Sequence, residues 1–147
     1  MRKGTLVLSS ELPHLVSGLF DVDQLLGLLA DAVNQALQDG HNGLWASGDM
    51  SWEFGQEKNF TKLMEYEYQL EELFRKYPTL SGICQYHQDS LPTKTVSQAL
   101  YVHRALYINE TLSRLNPYYV SPEVLGHDRS PMGTAELKMI LDRARGC

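Results

Sequence analysis

The sequence is poor in several features that mark large classes of protein. Its two cysteines, Cys84 inside an apolar run and Cys147 at the end, give neither a disulfide framework nor the ligand spacing of a metal site. Thirteen Lys and Arg against eighteen Asp and Glu give a net charge of −5, which argues against binding to a nucleic-acid backbone. We therefore expect a reducing compartment, no metal and no direct contact with nucleic acid.

Long apolar runs are also missing. The longest, around Leu25–Leu37, is interrupted by polar residues, whereas a membrane span needs about 20 consecutive apolar residues. The N-terminus carries two charges, but no apolar signal core follows them. These absences predict a cytoplasmic protein that does not interact with a membrane. The length of 147 residues, of which 43% are hydrophobic, predicts one domain with its own core.

The best-known catalytic and phosphate-binding motifs are absent as well. The chain has no Gly-x-x-x-x-Gly-Lys-Ser/Thr loop, no Gly-x-Gly-x-x-Gly, no Gly-x-Ser-x-Gly and no His-Glu-x-x-His. Its five histidines are scattered, without the companion ligands of a metal site. We therefore expect no cofactor, and the sequence indicates no common type of enzyme.

Short apolar segments alternate with amphipathic helical patterns along the chain. The patterns predict strands at 4–9, 43–47, 81–86 and 105–109, and helices at 22–37, 57–77, 93–104 and 135–145. Asp21, with Gln24 three residues later, is predicted to cap the first helix, and Gly40 to end it. This alternation is typical of an α/β fold with three layers, in which helices flank a parallel or mostly parallel sheet. Ligands of such sheets bind at the carboxyl ends of the strands.

Glu67 is the most informative single residue in these patterns. It falls on the apolar stripe of the helix predicted at 57–77, so a regular helix directs its carboxylate inward, where an unpaired ion is costly. One interpretation is a ligand-facing carboxylate or a general base. The other, commoner in proteins, is a structural group that binds the Gly48–Trp52 loop or an arginine.

Other side chains allow the same two interpretations. His103 falls on an apolar helical face and is either a hydrogen-bonded core residue or a ligand-binding group. Trp52 and Phe54, in a loop flanked by glycines, either fill the core or form the wall of a binding site. Cys84, in an apolar strand, is expected to be inert packing.

Five segments, in this order and spacing over about 4–122, resemble the MEDS domain. This is the sensory domain of methanogen and methylotroph signalling proteins and of a dichloromethane-responsive repressor. The segments are Gly48-Asp49-Met50-Ser51-Trp52, Tyr66-Glu67, Cys84-Gln85-Tyr86, His103 and Asn116-Pro117-Tyr118-Tyr119. The resemblance implies a RecA/KaiC-like α/β domain without a working phosphate loop, which senses hydrocarbon-derived or other small metabolites.

The resemblance and the residue patterns together predict the function. We expect a non-enzymatic sensory domain over 1–147, with a core of about 4–122 and a C-terminal extension that holds the last helix. Its ligand is expected to be small and largely apolar. The candidate ligand-binding residues are Asp49, Trp52, Phe54, Tyr66, Glu67, Cys84, Tyr86 and His103. Two alternatives stay open: a protein-interaction or dimerisation module without a ligand, and a hydrolase or lyase that uses Glu67 with His103.

The chain departs from the family pattern in three places. Family members usually have a further N-terminal βα portion before the strand that matches Leu6–Leu8, so the sheet is expected to be shortened. Tyr68 and Gln69 stand where the family has a small residue and Arg, and Arg104 stands where it has Pro.

Because a shortened sheet exposes a strand edge, which proteins usually cover, we expect a homodimer. A separate signalling protein is a further candidate partner.

Overall fold

The computed structural model of the protein describes residues 6–8, 15–16, 19–51, 61–107, 113–121, 124 and 134–146. The chain divides into two compact units, Met1–Tyr86 and His87–Cys147, and each has buried apolar residues of its own. The single domain expected over the whole chain, with its core and C-terminal extension, stays a prediction.

Two helices supply most of the core of the first unit. Helix α1 spans Val22–Gln38, and the Asp21 carboxylate accepts a hydrogen bond of 2.8 Å from the Gln24 amide, which confirms the predicted cap. Gly40 follows with a φ of 85°, a left-handed conformation that ends the helix without the penalty of a Cβ. Helix α2 spans Thr61–Lys76 and packs against α1.

The strands seen among the described residues of the first unit form two pairs. Strands β1 (Leu15–Val16) and β2 (Leu19–Phe20) are antiparallel, whereas β3 (Leu44–Asp49) and β4 (Leu80–Gln85) are parallel. Helix α2 lies on the connection from β3 to β4, as expected for a parallel pair. A Cβ added to Gly43 would lie 2.2 Å from the Thr79 carbonyl oxygen. Only glycine therefore fits where β3 begins beside the segment that leads into β4.

The structure corrects two of the predicted boundaries and leaves a third untested. The strand expected at 4–9 is wrong at its described residues, because Leu6–Leu8 lies outside any strand and its side chains are exposed. Strand β3 continues to Asp49, so Gly48 and Asp49 belong to a strand and not to the predicted loop. The beginning of the predicted helix at 57–60, together with Trp52 and Phe54, lies outside the described residues.

The second unit is built on another helix pair. Helix α3 spans Thr93–Val102 and contacts α4, which spans Thr134–Gly146. Helix α3 has buried Val, Ala and Leu side chains, and α4 has buried Leu and Ile side chains. Strands β5 (Ala105–Tyr107) and β6 (Ser113–Leu115) pair in antiparallel orientation. The predicted helices at 93–104 and 135–145 are confirmed to within two residues at each end.

The described residues thus form a mixed α/β structure with four helices and a small parallel sheet. The predicted α/β class is confirmed at this level, and the RecA/KaiC-like three-layer arrangement stays a prediction. Among the described helices, none is both long enough and apolar enough to cross a membrane.

Candidate functional site

Four of the predicted site residues come together in the first unit. Tyr66 and Glu67 are neighbours on α2, Cys84 is the second-last residue of β4, and Tyr86 directly follows that strand. The site therefore lies at the carboxyl end of the parallel pair, where ligands of parallel sheets usually bind. We call these four residues the Glu67 cluster.

Glu67 is at the centre of the Glu67 cluster. Its side chain is only 5% exposed, which confirms the inward direction predicted from the helical spacing. The Tyr86 hydroxyl donates a hydrogen bond to Oε1, and the Cys84 thiol lies 3.6 Å from Oε2, within hydrogen-bond distance for sulfur. Hydrogen bonds to a buried carboxylate offset part of the cost of removing it from water. The partners seen here are side chains on or after β4, which the structural interpretation of Glu67 did not include.

Tyr86 is electrostatically coupled to this carboxylate. Burial raises the pKa of the Tyr86 hydroxyl well above its usual value of 10.0, and the neighbouring Glu67 and Cys84 raise it further. The negative charge of Glu67 disfavours a second negative charge on Tyr86, and their hydrogen bond favours the protonated hydroxyl. Tyr86 therefore remains a proton donor to Glu67 throughout the neutral pH range.

Tyr66, next to Glu67 on α2, connects the Glu67 cluster to an apolar neighbour. The Phe20 and Tyr66 rings are both buried and meet edge to face, with centroids 6.1 Å apart and an interplanar angle of 77°. The Lys62 ammonium, one turn before Tyr66 on α2, donates a hydrogen bond of 2.8 Å to the Phe20 carbonyl oxygen. Met50, fully buried, donates its amide hydrogen to the Gln85 carbonyl oxygen at 2.9 Å. The Glu67 cluster is thus anchored to β2 through Tyr66 and to β4 through Cys84.

Phe20 is a site residue that the sequence interpretation missed. It directly precedes Asp21, the cap of α1, and both Phe20 and Leu25 are buried. An apolar residue before a helix cap often packs against the fourth residue of the helix, which is Leu25 here. That spacing was the available signal, although it predicts a local contact with α1 and not the contact with Tyr66.

Asp49 has a role in the turn that follows β3. Its Oδ1 accepts hydrogen bonds from the Ser51 amide at 2.8 Å and from the Ser51 hydroxyl at 2.6 Å. A short Asp side chain that binds the backbone two residues later stabilises a turn. Asp49 therefore shapes the start of the segment that leads to Trp52 and Phe54. A ligand-binding role for these three residues stays a prediction.

His103 belongs to the second unit, directly after α3. Its Nδ1 lies 2.8 Å from the Ala99 carbonyl oxygen. Because a carbonyl can only accept, Nδ1 must carry the proton of this hydrogen bond. The contact supports the interpretation of His103 as a hydrogen-bonded structural residue, and its role in ligand binding stays a prediction.

Asn116 is a buried polar residue of this unit, 7% exposed. Its side-chain amide donates to the Leu100 carbonyl oxygen and, at 2.7 Å, to the His103 carbonyl oxygen. Its own side-chain oxygen accepts from the Tyr118 amide at 2.9 Å. Asn116 thereby binds carbonyls at the end of α3, where a helix lacks its own donors.

Glu67 and Cys84 each offer a ligand atom of a type that binds zinc, and a structural zinc site uses four such atoms. Two ligand atoms do not decide the question, and the expectation of no metal stays a prediction.

The site defines a class of α/β domain. In this class a buried carboxylate lies at the carboxyl end of parallel strands, in a chain without a phosphate-binding motif.

Comparison with known families gives the particular family. The family model of MEDS, the methanogen/methylotroph, DcmR sensory domain, matches residues 1–104. The chain belongs to the MEDS family, as the five sequence segments predicted. The match spans α1 to α3 and contains the whole Glu67 cluster. Membership of a family of sensory domains supports a sensory role in signal transduction. No curated protein and no solved structure matches the chain.

Proposed function

We propose that the chain is a non-enzymatic sensory domain whose first unit binds a small, largely apolar metabolite beside Glu67. The observation that carries this proposal is the buried Glu67 carboxylate, which accepts hydrogen bonds from two side chains at the carboxyl end of β3 and β4. A side-chain donor can rotate away without breaking a helix or strand. A ligand that brings its own donor can therefore replace Tyr86 or Cys84 at modest cost.

The surroundings of the carboxylate restrict the chemistry of the ligand. Tyr66, the neighbour of Glu67 on α2, is buried and packs against the buried Phe20 ring, which favours a ligand with a hydrocarbon body. Glu67 accepts hydrogen bonds and disfavours a second negative charge nearby. The proposed ligand is thus a small hydrocarbon derivative with a hydrogen-bond donor, such as a short alcohol or an alkylamine. Trp52 and Phe54, which follow the Asp49 turn, complete the proposed wall.

A thermal-shift screen tests the proposal. The panel contains short alcohols, alkylamines, aldehydes, chlorinated hydrocarbons and short carboxylic acids. A ligand at 100 times its Kd stabilises the folded state by about 2.7 kcal/mol, which raises Tm by several degrees. We expect a shift with one of the donor-bearing classes and none with carboxylic acids.

Glu67→Gln and Glu65→Gln form a matched pair for this screen, since both residues lie on α2 but Glu65 is exposed. The active compound should stabilise the wild type and Glu65→Gln, but not Glu67→Gln. Equal stabilisation of all three proteins would place the ligand elsewhere and contradict the proposed site.

The second candidate function is an interaction or dimerisation module without a ligand. The observation that favours it is Trp45 on β3, whose large apolar side chain is 66% exposed. A panel without any thermal shift, combined with a stable oligomer, would support this function over sensing. Homodimer formation, a cytoplasmic location and a separate signalling protein as output partner are part of the proposal in either case.

A further inference from the structure

A short N-terminal segment exposes an unusual amount of apolar surface. Leu6, Val7 and Leu8 are 77%, 85% and 88% exposed and lie outside any strand. Single exposed apolar residues are common in proteins, but three in succession usually mark a contact surface or an aggregation risk. The run also contains residues that favour strands. We call Leu6–Leu8 the apolar segment.

Strand β3 has a backbone edge to which a further strand can add. The amides of Leu44, at the start of β3, and Met50, directly after its end, both point toward β4. They donate to the carbonyl oxygens of Thr79, just before β4, and Gln85, at its end, at 3.0 and 2.9 Å. In a parallel ladder, alternate residues of a strand bond to the same neighbour, so the amides of Trp45 and Ser47 point to the opposite edge. In the described part of the sheet the strand order is β3–β4, and that edge of β3 has no neighbouring strand.

The two faces beside this edge suit the composition of the apolar segment. Helix α1 contacts β3, and Phe74 of α2 lies against Gly82 of β4, so helices cover one face of the pair. Trp45 extends the apolar surface on the other side of the strand. A strand added beside β3 would place side chains on the Trp45 face and on the opposite face, and a continuous run such as Leu-Val-Leu offers apolar side chains to both.

We infer that the apolar segment of one copy of the chain adds as a strand to the β3 edge of a second copy. The addition is reciprocal, because each copy carries one segment and one edge, and two such pairings close a symmetric dimer. Main-chain hydrogen bonds to the Trp45 and Ser47 amides provide the pairing, and burial of the Leu and Val side chains adds to it. Ligand binding at Glu67 is not required for this pairing, so the proposed ligand site and the proposed dimer contact can fail separately.

Size-exclusion chromatography with light scattering at micromolar concentration tests the inference. The wild type should be a dimer, and Leu8→Ser should cause loss of the dimer. Leu115→Ser is the matched control, because Leu115 is also 88% exposed but lies on β6 in the second unit. The control should remain dimeric. A monomeric wild type, or equal loss of dimer in both variants, would overturn the inference.

A mixing experiment tests the pairing itself. Val7→Pro removes a backbone donor from the apolar segment, and Ser47→Pro removes one from the β3 edge, so each variant alone should be monomeric. In a mixture, the intact segment of Ser47→Pro can still pair with the intact edge of Val7→Pro, and a heterodimer peak should appear. Circular dichroism verifies that both variants are folded. Folded variants that remain dimeric on their own, or that give no heterodimer when mixed, would contradict the reciprocal pairing.

Discussion

Glu67 and Asn116 are both almost completely buried polar side chains, one in each unit, but they are bound in different ways. Glu67 accepts hydrogen bonds from the Tyr86 and Cys84 side chains. Asn116 donates to backbone carbonyls of Leu100 and His103 and accepts from the Tyr118 amide. The partners of Asn116 are fixed by the path of the chain, whereas those of Glu67 can change rotamer.

This difference separates a structural role from a binding role. Removal of the Asn116 amide leaves the Leu100 and His103 carbonyl oxygens without this donor, so the second unit depends on this residue for stability. The side-chain partners of Glu67 can turn toward a ligand while the helices and strands stay in place. We therefore expect changes at Asn116 to reduce stability most, and changes at the Glu67 cluster to affect binding in addition to stability.

The largest effect is expected for Asn116→Ala. Loss of the side-chain amide leaves two backbone carbonyls at the end of α3 without this donor, and an unsatisfied buried group costs about 1–3 kcal/mol. We expect the free energy of unfolding to fall by about 2–3 kcal/mol, measured by urea denaturation. Asn34→Ala, at an exposed position of α1, serves as the control and should change it by less than about 0.5 kcal/mol. If Asn116→Ala lowers the free energy of unfolding no more than the control does, Asn116 does not have the structural role that distinguishes it from Glu67.

Tyr86→Phe should have a smaller effect. The substitution keeps the ring and removes the hydroxyl that donates to Glu67. A hydrogen bond to a charged group contributes about 1.5–3 kcal/mol, and because the Cys84 thiol remains near Glu67, we expect a loss at the lower end, about 1.5 kcal/mol. The measurement is again urea denaturation, with Tyr107→Phe at an exposed position as the control. If Tyr86→Phe lowers stability more than Asn116→Ala, the Glu67 cluster is the more rigid of the two sites.

The smallest effect is confined to alkaline pH. Because the pKa of Tyr86 is raised in the folded state, its contribution to stability is complete below the unfolded value of 10.0 and is lost as the pH rises toward the folded value. Above pH 10.0 the unfolded chain releases this proton while the folded chain retains it, so stability falls. The decline of Tm above this pH should be shallower in Tyr86→Phe than in the wild type. Parallel curves would show that Tyr86 is not shielded by burial and by Glu67.

Local features of the fold were predictable from the sequence. The apolar period of α1, its Asp21 cap and its Gly40 terminus depend on neighbours within a few positions, and all three agree with the structure. The inward direction of Glu67 follows from the same helical period. The partners of Glu67 were not predictable in this way, because Tyr86 and Cys84 are 19 and 17 positions away and meet Glu67 only when β4 pairs with β3.

Strand pairing and backbone contacts explain the remaining differences. Leu6–Leu8 has the composition of a strand, but a strand also needs a neighbour, which composition does not specify. Asn116 was recognised only as part of a family segment. Its role depends on carbonyls of residues 13 and 16 positions earlier, and a sequence pattern does not reveal such contacts.

The most direct test of the Glu67 site is a calorimetric titration with the panel compound that gives the largest thermal shift. Its Kd is compared between the wild type, Glu65→Gln and Glu67→Gln. Since a hydrogen bond to a charged group contributes about 1.5–3 kcal/mol, we expect Glu67→Gln to weaken binding by about 10-fold or more. Glu65→Gln should bind like the wild type. An unchanged Kd in Glu67→Gln would contradict a ligand-binding role for the buried carboxylate.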